Sequence, residues 1–223
     1  MRLRINASQM DEKLLCLEAL YSYAVAMGAS FLPAVRPLVE ACLPVLTYRW
    51  SDKARGAAAM ALSEAYKCTV LAAADESAAS TGATKAHALE LSGVLLKPLT
   101  EQLNKEDSLE AIDSFLEAFK QVLTLERTHK VGALEGGAAL NGTVQLIKTQ
   151  LQKDEKRLKA RAAEEAERDE DEEGSEEEEA EKEQEAEVLL TCIHLMAELL
   201  KLHGASAVTA IEAQLLSHVQ PWL

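Results

Sequence analysis

Residues that favour β-sheet are scarce in this chain of 223 residues. Val, Ile and Thr together number 28, and aromatic residues make up only 4% of the sequence. Ala and Leu, by contrast, number 37 and 35, and both are strong helix formers. The composition therefore excludes a sheet-rich protein and predicts an all-α fold.

Cysteine is also scarce, and no Cys-x-x-Cys pair occurs. The four residues are Cys16, Cys42, Cys68 and Cys192. Helical cores use isolated cysteines as small apolar residues, so we expect reduced thiols in a cytosolic or nuclear protein. The start, MRLRINASQM, has no apolar signal-peptide core. The longest uncharged stretch, Ala19 to Val35, is interrupted by Ser, Gly and Pro, so we expect no membrane span and no membrane partner.

Groupings of residues that carry catalysis are missing as well. The five histidines, His87, His129, His194, His203 and His218, have no nucleophile or acid at a recurrent spacing. Neither GxxxxGK[ST] nor GxGxxG occurs, and the glycines between 132 and 142 resemble a loose turn. We therefore expect no enzyme activity, no catalytic or metal-binding residues and no cofactor.

An excess of basic residues is absent, which argues against direct binding of nucleic acid. The net charge is −14, and the window Glu164–Glu187 holds 16 acids and two bases. This window accounts for the whole net charge, so the remainder is balanced. With 48% hydrophobic residues, the chain has enough apolar material for a folded core.

Apolar periodicity and turn residues divide the chain into helical segments. We predict an N-terminal extension at 1–10, a helix at 11–28, helix pairs at 30–74 and 84–130, a third pair at 132–203 and a last helix at 206–223. Within the first pair, one helix should run to about Tyr48 and be bent by Pro37 and Pro44. In the third pair, the second helix should begin near Glu185.

Two patterns recur along the chain. A Glu-Ala pair with an aromatic residue just after it begins at Glu18 (EALY), Glu64 (EAYK) and Glu117 (EAFK), at intervals of 46 and 53. Proline-containing helices also precede the turns at Asp52 and Asp107. A period of about fifty residues predicts an α-α superhelix of antiparallel hairpins with about eight helices. An ordinary helical bundle is the alternative.

The acidic window lies inside the third hairpin, where it forms an enlarged connection at 164–187. Basic residues precede it, and we expect internal charge compensation there: Lys153, Lys156, Arg157, Lys159 and Arg161. Two interpretations remain open, a solvated loop or an electrostatic surface for a basic partner. The candidate partner-binding residues are Glu164, Glu165, Glu167, Asp169, Glu170, Asp171, Glu172, Glu173, Glu176, Glu177, Glu178 and Glu179.

The runs EKLLCLEALYSYAVAMGASFLPAVRPLVEACLPVL and SDKARGAAAMALSEAYKC resemble the HEAT repeats of importin-β-type nuclear transport receptors, or karyopherins-β. Asp52 with Arg55 matches the turn pattern of these repeats, with Ala54 in place of the usual Val. The next repeat keeps Asp107, but no Arg follows it. The order of a basic helix, acidic connection and final helix ending in Pro221-Trp222 is similar to that of the large Ran-binding importins that carry ribosomal proteins and histones.

The resemblance spans residues 11–223 and implies a fragment of a longer receptor. It implies basic protein cargo, possible binding of Ran-GTP, shuttling between cytoplasm and nucleus, and a structural role for Asp52, Arg55 and Asp107. Two alternatives are a generic HEAT-repeat scaffold or adaptor and an acidic histone-chaperone-like module. Uncapped repeats expose apolar faces, so we also expect weak self-association through the end helices.

Overall fold

The computed structural model describes residues 7–74, 84–167 and 176–219. The α-helices are α1 Ala7–Met27, α2 Leu32–Cys42, α3 Asp52–Ala74, α4 Lys85–Lys105, α5 Leu109–His129, α6 Gly137–Glu167, α7 Glu176–His203, α8 Ala205–Gln214 and α9 Leu216–Val219. Two 3₁₀ helices, Gly28–Phe31 and Leu43–Thr47, flank α2. Among the described residues, eight α-helices have ten residues or more and no strand occurs. The all-α prediction is confirmed.

The chain divides into two compact units, residues 1–133 and 134–223. In the first unit, α3 is the central helix and packs against α1, α2, α4 and α5. Its buried positions include Ala54, Gly56, Ala58, Ala61 and Ala65. Small side chains on several faces let four neighbouring helices approach one backbone, which explains the alanine-rich sequence of α3.

The prediction of one continuous helix from Ser30 to about Tyr48 is wrong. The α-helix ends at Cys42, and Pro44 lies inside the following 3₁₀ helix. Proline has no N–H to donate to the carbonyl four residues earlier, so the tighter helix replaces the α-helix there. Pro37 and Pro98, by contrast, are accommodated inside α2 and α4.

In the second unit, α6 and α7 form a helix hairpin, and α8 and α9 pack against α6. The start of α7 was predicted too late, because the helix begins at Glu176 and not near Glu185. Acidic residues favour the positive end of a helix dipole, so the first turns of α7 can be acidic throughout. The last predicted helix is interrupted at Leu215, between α8 and α9. Similarly, α1 begins at Ala7, within the predicted N-terminal extension.

One segment, Ser8–Thr47, is long and apolar enough to cross a membrane by length and composition alone. This result differs from the expectation of no span, and 17% of the apolar window is buried. Core helices of soluble proteins and N-terminal signal sequences have the same length and composition. In the structure the segment is divided at Gly28, which has a positive φ of 52°. Its helices α1 and α2 both pack against α3.

Candidate functional site

Both ends of the acidic connection at 164–187 are helical. Helix α6 continues to Glu167 and includes Glu164 and Glu165, and α7 starts at Glu176. Glu176 and Glu179 have exposed side chains, and Glu178 is half-buried. Five candidate residues lie outside the described part of the chain: Asp169, Glu170, Asp171, Glu172 and Glu173. The described candidate residues therefore lie at the end of α6 and at the start of α7, the two helices of one hairpin.

Near the acidic connection, basic residues of the hairpin form ion pairs with acids. Arg161 on α6 contacts Glu185 on α7, and both side chains are largely buried. On α6 itself, Lys159 Nζ lies 2.6 Å from Glu155 Oε1. The hydrogen bond from Lys159 lowers the pKa of Glu155. These pairs confirm the expected internal compensation for Arg161 and Lys159, so these two cations are already partnered by residues outside 169–183.

Asp154 is a buried carboxylate of α6. Neither of its oxygens has a hydrogen-bond partner among the described residues. The nearest ion-pair contact, from Arg157 Nη1 to Asp154 Oδ1, is 3.8 Å. Burial raises the pKa of Asp154, although the charges of Arg157 and Arg161 oppose this. The ion pair of Asp154 with Arg157 thus lies within α6.

The predicted turn residues lie in the first unit, at the ends of α3 and α5. Arg55 donates two hydrogen bonds to Glu106, from Nε and from Nη2, both at 2.6 Å. Its Nη1 donates to the carbonyl oxygen of Tyr48 at 2.9 Å. Ser108 Oγ donates to Asp52 Oδ2 at 2.9 Å, which connects the two turns. The structure therefore brings Asp52 and Arg55 into one network between successive hairpins.

Asp107 is exposed, and Glu106 supplies the carboxylate that meets Arg55. The backbone N–H groups of Asp107 and Ser108 both donate to Glu106 Oε1 at 3.2 Å. Sequence reasoning missed Glu106, because an acid at the end of a helix is common and the turn pattern draws attention to the aspartate after it. Its position 51 residues after Arg55, close to one repeat length, is the signal that could have identified it.

A second buried carboxylate, Glu126, was also missed. Tyr66 Oη donates to Glu126 Oε1 at 2.5 Å, and the N–H groups of Gly132 and Ala133 donate to Oε2 at 3.0 Å. Burial, together with the bond to Glu126, raises the pKa of the Tyr66 hydroxyl. Tyr66 belongs to the copy of the pattern that begins at Glu64, and its bond to Glu126 joins α3 to α5.

The architecture is that of a HEAT-repeat protein, a class built from stacked helix hairpins. Residues 136–223 match the family described as Importin repeat 6. Among curated proteins, none matches the chain. The matched residues include α6 to α9, so this likeness concerns the second unit of the chain.

Solved structures of the karyopherin Kap121p have a similar fold. The complex with the extreme C-terminus of the protein phosphatase Cdc14p has a TM-score of 0.73 at 17% identity, and the match covers 99% of this chain and 20% of that chain. The complex with Ste12p gives 0.71 at 18%, covering 96% and 17%. The complex with the SUMO protease Ulp1p gives 0.68 at 19%, covering 96% and 17%. The chain thus spans at most a fifth of these structures, and the likeness establishes the HEAT-repeat fold.

Proposed function

We propose that the chain is part of a nuclear import receptor of the large Ran-binding importin subfamily, and that it acts as a scaffold for protein binding and not as an enzyme. One observation carries the proposal: the importin match covers residues 136–223, which include the hairpin with the acidic connection. Kap121p, whose fold is similar, is bound to a different protein in each of three structures.

We further propose that the acidic connection binds basic segments of cargo. The window Glu164–Glu187 carries the entire net charge of −14. Such a concentration of carboxylates attracts and orients cationic partners over about 8–10 Å at moderate ionic strength. Arg161 pairs with Glu185 and Lys159 pairs with Glu155, so neither of these two pairs uses an acid of 169–183.

The test replaces the acids between Glu164 and Glu183 with Gln and keeps Glu185, because Glu185 pairs with Arg161. Fluorescence anisotropy then measures binding of a labelled Lys-rich peptide at low and at physiological salt. We expect affinity to fall at least tenfold at low salt, with a smaller loss at physiological salt, where screening is stronger.

The matched control introduces Gln at exposed acids of the first unit: Glu12, Glu18, Glu90, Glu101 and Glu110. This variant should bind the basic peptide like the wild type. Equal affinity of the acidic-connection variant and the wild type would refute the proposed surface and favour the solvated-loop interpretation.

We also propose that transport by this receptor depends on Ran-GTP and that the receptor shuttles between cytoplasm and nucleus. Both rest on the resemblance to importins and on the family match over 136–223. A pull-down with Ran-GTP tests for direct contact with this segment. Import of a basic reporter protein into the nuclei of permeabilised cells, by the receptor with and without its acidic connection, tests the transport role.

A further inference from the structure

The turn between the second 3₁₀ helix and α3 presents three large side chains in succession, Tyr48, Arg49 and Trp50. Trp50 is 43% exposed, and Arg49 is also exposed. The Arg49 guanidinium carbon lies 5.7 Å from the centre of the Trp50 ring, within the range of a cation–π contact. Trp, Tyr and Arg are the residue types that most often carry binding energy at protein interfaces.

An open cleft of about 320 Å³ adjoins this turn. Tyr48 and Arg49 line it, as do Gln102 and Lys105 from the end of α4, whereas Trp50 contacts Arg49 and lies outside the lining. Arg55 and Glu106 also line the cleft, and their two hydrogen bonds of 2.6 Å join the turns on either side. The hydrogen bonds between Arg55 and Glu106 join two charged groups and are largely buried, so they fix the two turns that line the cleft relative to each other.

The charges available to a ligand in this cleft are mainly positive. Arg49 and Lys105 are exposed, and neither forms an ion pair or hydrogen bond within residues 7–74, 84–167 and 176–219. Arg55 and Glu106 neutralise each other. Asp107 is the remaining carboxylate of the lining. The cleft is thus a small basic surface on a protein whose net charge is −14.

We propose that this cleft binds a short acidic segment of a partner protein. Its carboxylates would pair with Arg49 and Lys105, and an apolar or aromatic side chain would pack against Trp50. A nucleic acid fits less well, because its backbone is bound through many phosphate contacts and only two unpaired cations are present here. The proposal concerns residues of the first unit and does not rest on the function assigned to the acidic connection.

Binding is measured by fluorescence anisotropy with the whole chain and a short labelled peptide of Glu and Gly that has one central Phe. We expect Arg49→Ala and Trp50→Ala each to weaken binding about tenfold, and Lys105→Ala about threefold. The control is Lys97→Ala, because Lys97 lies on α4 outside the cleft lining and is 80% exposed. It should bind the peptide like the wild type.

Trp50 supplies a second readout. The chain has two tryptophans, so Trp222→Phe leaves Trp50 as the sole tryptophan. We expect its emission to shift to shorter wavelength when the Glu-containing peptide binds and covers the ring. The shift should be absent with a peptide in which Gln replaces every Glu.

Several results would overturn the proposal: no saturable binding of the Glu peptide, equal binding of the Gln peptide, or unchanged affinity in both Arg49→Ala and Trp50→Ala. Tighter binding of a single-stranded RNA of similar length would also overturn it, because the partner would then belong to another class. Circular dichroism of each variant confirms that the helices are retained. We expect no loss of structure, since the substituted side chains are exposed.

Discussion

Glu106 and Arg55 show how single side chains join successive hairpins. Glu106 is 3% exposed and accepts hydrogen bonds from Arg55 and from two backbone N–H groups. Burial raises the pKa of Glu106, but the bonds from Arg55 and Ser108 outweigh burial, and the pKa lies below its ordinary value of 4.5. The ionised carboxylate is therefore the form that stabilises the fold.

We predict that Glu106→Gln lowers the free energy of unfolding at pH 7 by about 2 to 3 kcal/mol, because it leaves Arg55 without its anionic partner. The pKa of Glu106 is lowered by folding, so its stabilisation is present above 4.5 and is lost as pH falls through the folded value. Urea unfolding at several pH values should show the two proteins converging in acid.

The control for this experiment is Glu101→Gln on α4, the helix that Glu106 follows. Glu101 is 57% exposed and lies 3.9 Å from Lys97. Exposed pairs of this kind contribute less than about 1 kcal/mol, so little change is expected. If the two variants lose the same stability, or if the effect of Glu106→Gln persists unchanged in acid, the assigned role of Glu106 is wrong.

The cysteines differ in their accessibility. Cys16 is exposed, whereas Cys42, Cys68 and Cys192 are buried, and all four are free. Burial raises the pKa of Cys42 and of Cys68 to about 11. Thiolate is the reactive form of cysteine, so these two thiols are protected by protonation as well as by burial.

We predict that an aromatic disulfide reagent at pH 8 modifies one thiol per native chain rapidly and all four after unfolding in urea. Cys16→Ser should remove the rapid phase, and Cys192→Ser should leave it unchanged. A rapid phase that survives Cys16→Ser would show that a second thiol is open to solvent.

At the scale of helices, close approach of α3 to α5 depends on Gly56. A methyl group at this position would lie 2.8 Å from Ser114 Oγ and 3.0 Å from Ser114 Cβ. Both distances are shorter than an ordinary van der Waals contact. The glycine is therefore required by the packing of two helices, although glycine is a poor helix former.

We predict that Gly56→Ala destabilises the protein by about 1 to 2 kcal/mol, because the new methyl group overpacks the contact with Ser114. In a Ser114→Gly background the same substitution should stabilise by about 1 kcal/mol, since alanine is the better helix former. Thermal unfolding of the four proteins of this double-mutant cycle measures the coupling. Equal effects of Gly56→Ala in both backgrounds would contradict the close approach.

Helix boundaries show which elements could be predicted. The end of α3, the start of α4 and the end of α5 lie within one residue of the predicted bounds 30–74 and 84–130, because turn residues interrupt the apolar periodicity there. The start of α7 was misplaced, because its first turns are acidic and carry no apolar pattern. Those turns are helical because of helix propensity and the favourable interaction of acids with the helix dipole, and not because apolar side chains are buried there.

At the scale of the whole chain, α1 carries an apolar surface that no other described element covers. Leu15 and Tyr23 are 64% and 63% exposed, and Val25 and Met27 are exposed as well. Large apolar side chains that are exposed on one helix favour an interaction site there. This observation gives the expected self-association a specific location.

We predict weak, reversible self-association through α1, measured by sedimentation velocity over a range of concentrations. Leu15→Glu and Tyr23→Glu together should yield a monomer, because each places a charge in an apolar contact. Leu89→Glu, at an exposed position of α4, serves as the control and should associate like the wild type. A wild-type sedimentation coefficient that does not change with concentration would refute the prediction.

Composition and periodicity alone determined the helical class, the hairpin repeat and the position of the acidic connection, because these depend on local propensity and on charge along the chain. Only the tertiary structure decided which residues meet. Arg55 pairs with Glu106, Tyr66 pairs with Glu126, and Arg49 and Lys105 line one cleft. These partners are separated by more than fifty residues, and their contacts exist only after the hairpins stack.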